Sequence, residues 1–122
     1  YNSNPLSLKS AIKNFDKINS KKSNKYLLIG DMLELGSHSK KLHQSIAPII
    51  NQTKIDKVFV KGKMASIIFA GISKAKKGRI LLNKSQIIEL IRKDLNNNDY
   101  LMIKASLATG FNDIVKDLKG LH

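Results

Sequence analysis

Four short, almost uninterrupted apolar runs constrain what this chain can fold into more than any other feature. They are Tyr26-Leu27-Leu28-Ile29, Val58-Phe59-Val60, Arg79-Ile80-Leu81-Leu82 and Tyr100-Leu101-Met102-Ile103. Runs of this length suit strands buried on both faces, as parallel sheets require. The first closes on Gly30-Asp31, the second on Lys61-Gly62 and the fourth on Lys104, as strands do on reaching a loop. Between the runs the apolar residues switch to helical spacing. Residues 5–18 place Leu8, Ala11, Ile12, Phe15 and Ile18 on one face, with Asn4 as N-cap and Pro5 in the first turn. A second helix is expected over 37–53 with Leu42, Ile46, Ile49 and Ile50, kinked by Pro48. A third covers 64–72. A fourth, capped by Ser85, carries Ile87, Ile88, Leu90, Ile91 and Leu95, and a last runs over about 109–118.

The order α-βα-βα-βα-βα predicts an α/β fold: a Rossmann-like, doubly wound, mostly parallel sheet with helices on both faces. Residues 1–122 read as a single domain with no linker or internal repeat. The leading helix has no strand before it, so the chain is expected to be excised from a longer one, cut just after a strand. Its first residues, without a charged-then-apolar pattern, are not expected to be a signal peptide.

Composition removes several function classes. With no cysteine among 122 residues, disulfide scaffolds, thiolate catalysis and cysteine-zinc sites are excluded. No run approaches the roughly 18 apolar residues that span a membrane. The net charge of +13 comes almost wholly from lysine. Readers of nucleic acid lean on arginine and stacking aromatics, and aromatics here are 6% with no Trp. The charge therefore reads as a codon-driven lysine surplus that sticks to polyanions without specificity, and no specific nucleic-acid partner is expected. A basic nucleic-acid-binding module remains the alternative class.

In open parallel sheets ligands gather at the carboxyl ends of the strands. Those ends are the 30–36 loop, the 61–63 loop and the 104–110 loop, and all three should share one edge. In the 30–36 loop, Gly30 and Gly36 bracket the carboxylates Asp31 and Glu34. Two readings stand: carboxylates presented to a cationic group such as an amine, or a turn in which Asp31 caps backbone amides. In the 104–110 loop, Lys104, Ser106, Thr109 and Gly110 offer a cation, hydroxyls and free amides to an anion, or simply cap the last helix. His38 and His43 are five apart, so neither a shared helical face nor a metal site is expected, only surface or helix-end roles. No G-x-x-x-x-G-K-[ST] loop, G-x-G-x-x-G fingerprint or G-x-S-x-G elbow is present.

Three stretches carry a resemblance. Tyr1-Asn2-Ser3-Asn4-Pro5 with Ala11, then Gly30-Asp31-Met32-Leu33-Glu34-Leu35-Gly36 with His43, then Asp99 to Gly110, agree in order and spacing with the C-terminal domain of Mur ligases. Among these the chain most resembles the branch that adds D-alanyl-D-alanine to UDP-N-acetylmuramoyl-tripeptide. Three departures stand out: Ser3 for Ala, Ala105 for Gly, and Leu107 where Arg is common.

The resemblance implies a bacterial, cytoplasmic, ATP-dependent amide ligase of peptidoglycan synthesis, active as a monomer when full length. ATP and Mg²⁺ would be bound mainly by an absent central domain, and the UDP substrate by an absent N-terminal one. This chain would be the closing domain: it would bring in D-alanyl-D-alanine and hold no catalytic or metal-ligating residue of its own. Tyr1, Asn2 and Asn4 would lie near the nucleotide. Asp31, Glu34, Lys104, Ser106 and Thr109 would bind the dipeptide, with Gly30, Gly36, Gly110 and His43 shaping the loops. A related amide ligase with another amino-acid substrate is the second alternative.

Overall fold

The computed structural model of the chain describes residues 4–105. Its sheet has four strands, β1 (Lys25–Gly30), β2 (Lys57–Lys61), β3 (Lys77–Ile80) and β4 (Tyr100–Lys104), in the order β3-β2-β1-β4. Every neighbouring pair is parallel. Parallel neighbours need crossovers, and helices supply them: α2 (Ser39–Gln44) with α3 (Ile46–Asn51), then α4 (Ala65–Gly71), then α5 (Lys84–Glu89), which runs on as a π-helical turn (Leu90–Asp94). A leading helix, α1 (Pro5–Asp16), precedes the sheet.

Strand alternation sorts the core into two layers. Leu27, Ile29, Val58 and Val60 face α1, α3 and α4, packing with Leu8, Ile12, Ile46, Ile50 and Ile68. On the other face Leu28 and Phe59 meet Leu81 and, from α5 and its extension, Ile87 and Leu90. Each such buried aliphatic side chain contributes about 1.5–3 kcal/mol, so the two layers are what hold the sheet between its helices. Among the described residues no helix is long and apolar enough to cross a membrane.

The structure departs from the sequence reading in four places. The helix expected over 37–53 is a 3₁₀ turn (Gly36–His38) followed by α2 and α3, divided at Ser45. Pro48 has no N–H for the carbonyl of Gln44, and its ring crowds that carbonyl. At the break the Ser45 N–H reaches Lys41 O at 3.0 Å, and Ser45 Oγ donates to Leu42 O at 2.6 Å. The third strand lies two residues earlier than the apolar run 79–82 indicated. Gly78 lets it settle on Phe59, where a Cβ would stand 2.6 Å from the ring. Leu81 alone of the run is buried, while Ile80 and Leu82 are 43% and 73% exposed. The α5 cap is Asn83, whose Oδ1 accepts from Gln86 N at 2.9 Å, and not Ser85. His43, assigned a surface or helix-end role, is at the end of α2 but fully buried. The helix expected over 109–118 lies outside the described residues.

Candidate functional site at the carboxyl edge of the sheet

The chain leaves β1 for β2 and β3 on one side, then returns to place β4 on the other side of β1. The helices after β1 and β2 cover one face and α5 covers the other. Such a reversal opens a crevice at the carboxyl ends of the two strands flanking it, here β1 and β4. Register brings the loops together there: Gly30 pairs with Lys61, and Ile29 with Lys104. Neighbouring strands stand ~4.8 Å apart, so the 30–36 loop, the 61–63 loop and the end of β4 form one continuous rim.

The 30–36 loop is pinned at its base from two sides. Asp31 Oδ1 accepts the N–H of Ala65, the first residue of α4, at 2.7 Å. Its carboxyl group lies over Gly62, whose φ of +124° and close packing leave no room for a side chain. From the α2 side, His43 Nε2 accepts the N–H of Met32 at 3.0 Å, and Nδ1 lies 2.8 Å from Ser39 O. A carbonyl can only accept, so Nδ1 carries the proton and Nε2 is the acceptor. Both ring nitrogens are thus spent on holding the loop to the helix that follows it. Sequence spacing marked Gly62 only as part of the loop that ends β2, and it marked neither Ala65 nor Ser39.

Beyond that base the loop rises. Met32 is buried and Leu35 packs against the same core layer. Between them Glu34 is exposed, with φ +61°. Gly36 follows at φ +62°. A left-handed backbone is routine for glycine and costs an L-residue such as glutamate about 1–2 kcal/mol. Among the described residues Glu34 has neither a hydrogen bond nor an ion pair.

The remaining candidates fall as follows. Gly30 is buried at the end of β1. Lys104 ends β4 and is half-buried with a partner of its own. Asn4 caps α1: Ser7 N donates to its Oδ1 at 2.9 Å, and Ser7 Oγ accepts from its N–H at 3.4 Å. The far end of α1 is fixed at the opposite edge, where Lys25 Nζ donates to Asp16 O at 2.6 Å. The 12 residues of α1 rise about 18 Å, which carries Asn4 toward the carboxyl edge. Tyr1, Asn2, Ser106, Thr109 and Gly110 lie outside the described residues.

Two hollows bear on the site. The larger, about 640 Å³, runs between α2–α3 and α4 over Ala47, Pro48, Ile67 and Ala70. Lys40, Gln44 and Ser66 are its polar lining, and no carboxylate there could receive a cationic group. A smaller one, about 300 Å³, opens on the rim among Lys61, Gly62, Lys63, Ile80 and Leu82. The rim is where acids, cations and exposed apolar side chains converge, and it is the better candidate. Among the described residues no three His, Asp or Glu side chains cluster as metal ligands.

The chain matches the family described as "Mur ligase, glutamate ligase domain" over residues 1–107. It is 33% identical over 121 residues to the UDP-N-acetylmuramoyl-tripeptide–D-alanyl-D-alanine ligase of Bacillus subtilis, covering 97% of this chain and 26% of that protein. The ligase of the same name from Buchnera aphidicola (Acyrthosiphon pisum) is 33% identical over 120 residues, covering 97% and 25%. The fold is similar to the MurF ligase of Thermotoga maritima, solved in complex with ADP. There the TM-score is 0.77 at 23% identity, covering 95% of this chain and 26% of that one. MurF from Acinetobacter baumannii gives 0.76 at 24% identity, with 97% and 26% covered. The chain thus spans about a quarter of the length of the relatives it matches.

Proposed function

This chain belongs to the Mur ligase family through its glutamate ligase domain, and from that premise we propose that it is the amine-delivering, closing domain of a D-alanyl-D-alanine-adding ligase. In this reading the rest of the enzyme uses ATP to activate a carboxylate of UDP-N-acetylmuramoyl-tripeptide. The rim built here supplies D-alanyl-D-alanine, whose amine forms the new amide. ATP and Mg²⁺ would be held mainly by the rest of the enzyme. What this chain's own residues do is bind, orient and exclude water.

The observation that carries the reading is the convergence of the 30–36 loop, Gly62 and Lys104 along the carboxyl edge of β2, β1 and β4, in a chain whose curated relatives are ligases of that name. Exposure supports it. Ile80 and Leu82 stand uncovered beside the rim, and Leu6, in the first turn of α1, is 78% exposed. Large apolar side chains at the edge that carries the polar groups suit a surface which another domain covers during turnover, keeping an activated acyl group from water. The lysine surplus does not favour the nucleic-acid alternative: Lys25, Lys57 and Lys76 donate to the backbone carbonyls of Asp16, Ala75, Thr53 and Ile55.

The test is a titration of the ¹⁵N-labelled chain with D-alanyl-D-alanine. Shifts are expected at 30–36 and around Lys104, and shifts confined to the opposite edge, around 17–24, would overturn the assignment. The 122-residue chain alone is expected to show no ATP-dependent ligation, and turnover by it would refute the division of labour.

A further inference from the structure

The 30–36 loop offers two carboxylates three residues apart, and the structure separates their duties. Asp31 is consumed internally: its Oδ1 holds the first N–H of α4, and its carboxyl group fills the space a Gly62 side chain would need. Moving it toward a ligand would uncap that helix. Glu34 has the opposite character. It is exposed, has no partner among the described residues, and sits in a left-handed backbone that glutamate does not adopt by preference. An unfavourable backbone at a crevice rim persists only when its surroundings hold it. They do so visibly: Met32 and Leu35 are drawn down into the core on either side, the Met32 N–H is clamped by His43, and Gly36 completes the reversal.

We propose that Glu34 is the substrate-binding carboxylate that receives the ammonium group of the acceptor amine, and that His43 is the positioning residue that fixes the loop presenting it. The proposal rests on the reading above that an amine is delivered at this rim, and it names the group that recognises it. His43 acts through one atom. Its Nε2 must accept from Met32 N–H, which requires the ring to keep its proton on Nδ1, where Ser39 O receives it. Gln can place an acceptor near the Nε2 position; Leu fills the space without one.

The experiment uses the full-length ligase. Glu34→Gln is expected to raise KM for D-alanyl-D-alanine by about 10- to 100-fold, the scale of a lost charge-assisted hydrogen bond. KM for ATP and the melting temperature should be unchanged. An acceptor analogue lacking its amino group, N-propionyl-D-alanine, should inhibit wild type and Glu34→Gln equally. His43→Leu should raise the same KM, while His43→Gln restores most of it. Ile68→Ala, a core change away from the rim, should lower stability without moving KM. An unchanged KM in Glu34→Gln overturns the Glu34 assignment. Equal KM values in His43→Leu and wild type overturn the positioning role. If the wild-type enzyme ligates a different amine, only the substrate named above fails, and the same variants decide Glu34 with that amine. If it ligates no amine, the functional reading fails and this proposal falls with it.

Discussion

The carboxyl group of Asp31 and the α-carbon of Gly62 occupy adjoining space so tightly that a Cβ at position 62 would stand 2.6 Å from Asp31 Cγ. Gly36, by contrast, has φ +62° and nothing within 4 Å of where its Cβ would be. The two glycines should therefore respond differently to alanine. Gly36→Ala meets only backbone strain and should lose about 1 kcal/mol. Gly62→Ala adds overlap to an unfavourable φ and should lose roughly 2–4 kcal/mol. Urea unfolding with unchanged slope would measure both. Removing the carboxylate first, in Asp31→Ala, should shrink the further cost of Gly62→Ala, because only the φ penalty remains. Additive losses would mean the two residues do not compete for that space.

The left-handed backbone at Glu34 makes a stability prediction opposite in sign to its functional one. Glu34→Gly relieves about 1–2 kcal/mol of strain and returns about 0.4–1 kcal/mol through the freer unfolded chain. The net expectation is a chain more stable by about 0.5 kcal/mol. The same variant in the full-length enzyme should bind the acceptor amine poorly. A higher urea midpoint together with a higher KM would place strain and function in one residue. A lower midpoint would show that Glu34 makes a stabilising contact.

The alternation of strand and helix was legible because each apolar run is short and each helix keeps its own period. So was the edge on which the loops gather, since parallel strands all end on the same side. What sequence could not show was which polar group spends itself inside. The sequence left Asp31 between a carboxylate presented to a cation and a cap on backbone amides; the first N–H of α4, brought in from residue 65, decides for the cap. His43 read as a surface or helix-end group; it does end α2, but an imidazole in a lysine-rich helix carries no sign of burial, and its acceptor role depends on a loop eleven residues earlier. The apolar run 79–82 misplaced β3 because two of its side chains are exposed at the rim rather than buried. An apolar residue outside the core is the kind of exception that periodicity cannot anticipate.

Lysine is abundant here, yet Lys25 is only 2% exposed. Its Nζ donates to Asp16 O at the end of α1, and its own N–H donates to Asp56 Oδ2 at 2.7 Å. Lys25→Met keeps the length of the side chain and removes the donor, leaving the helix-end carbonyl without it. A loss of about 1–3 kcal/mol is expected. Lys17→Met, on an exposed neighbour, should stay within about 0.5 kcal/mol of wild type. Equal effects of the two would show that charge number, and not the buried bond, sets the contribution.

Asp99 joins the entrances of β1 and of its neighbour β4 across 75 residues of sequence. Its Oδ1 accepts Asn24 N at 2.9 Å, just before β1, and its Oδ2 accepts Asn96 N at 2.9 Å within the turn that leads into β4. The backbone reinforces the tie, with Tyr100 N donating to Asn24 O at 2.9 Å. Asp99→Ala removes both acceptors and should cost about 1–3 kcal/mol, since each is a charge-assisted bond to a backbone amide. Asp99→Asn keeps one carbonyl oxygen and should lose less. Because β1 and β4 flank the crevice, the larger loss should also weaken hydrogen-exchange protection along β4 before it does so along β2, which pairs with β1 and β3 independently. Uniform loss of protection across all four strands would instead mean that the sheet opens as one unit.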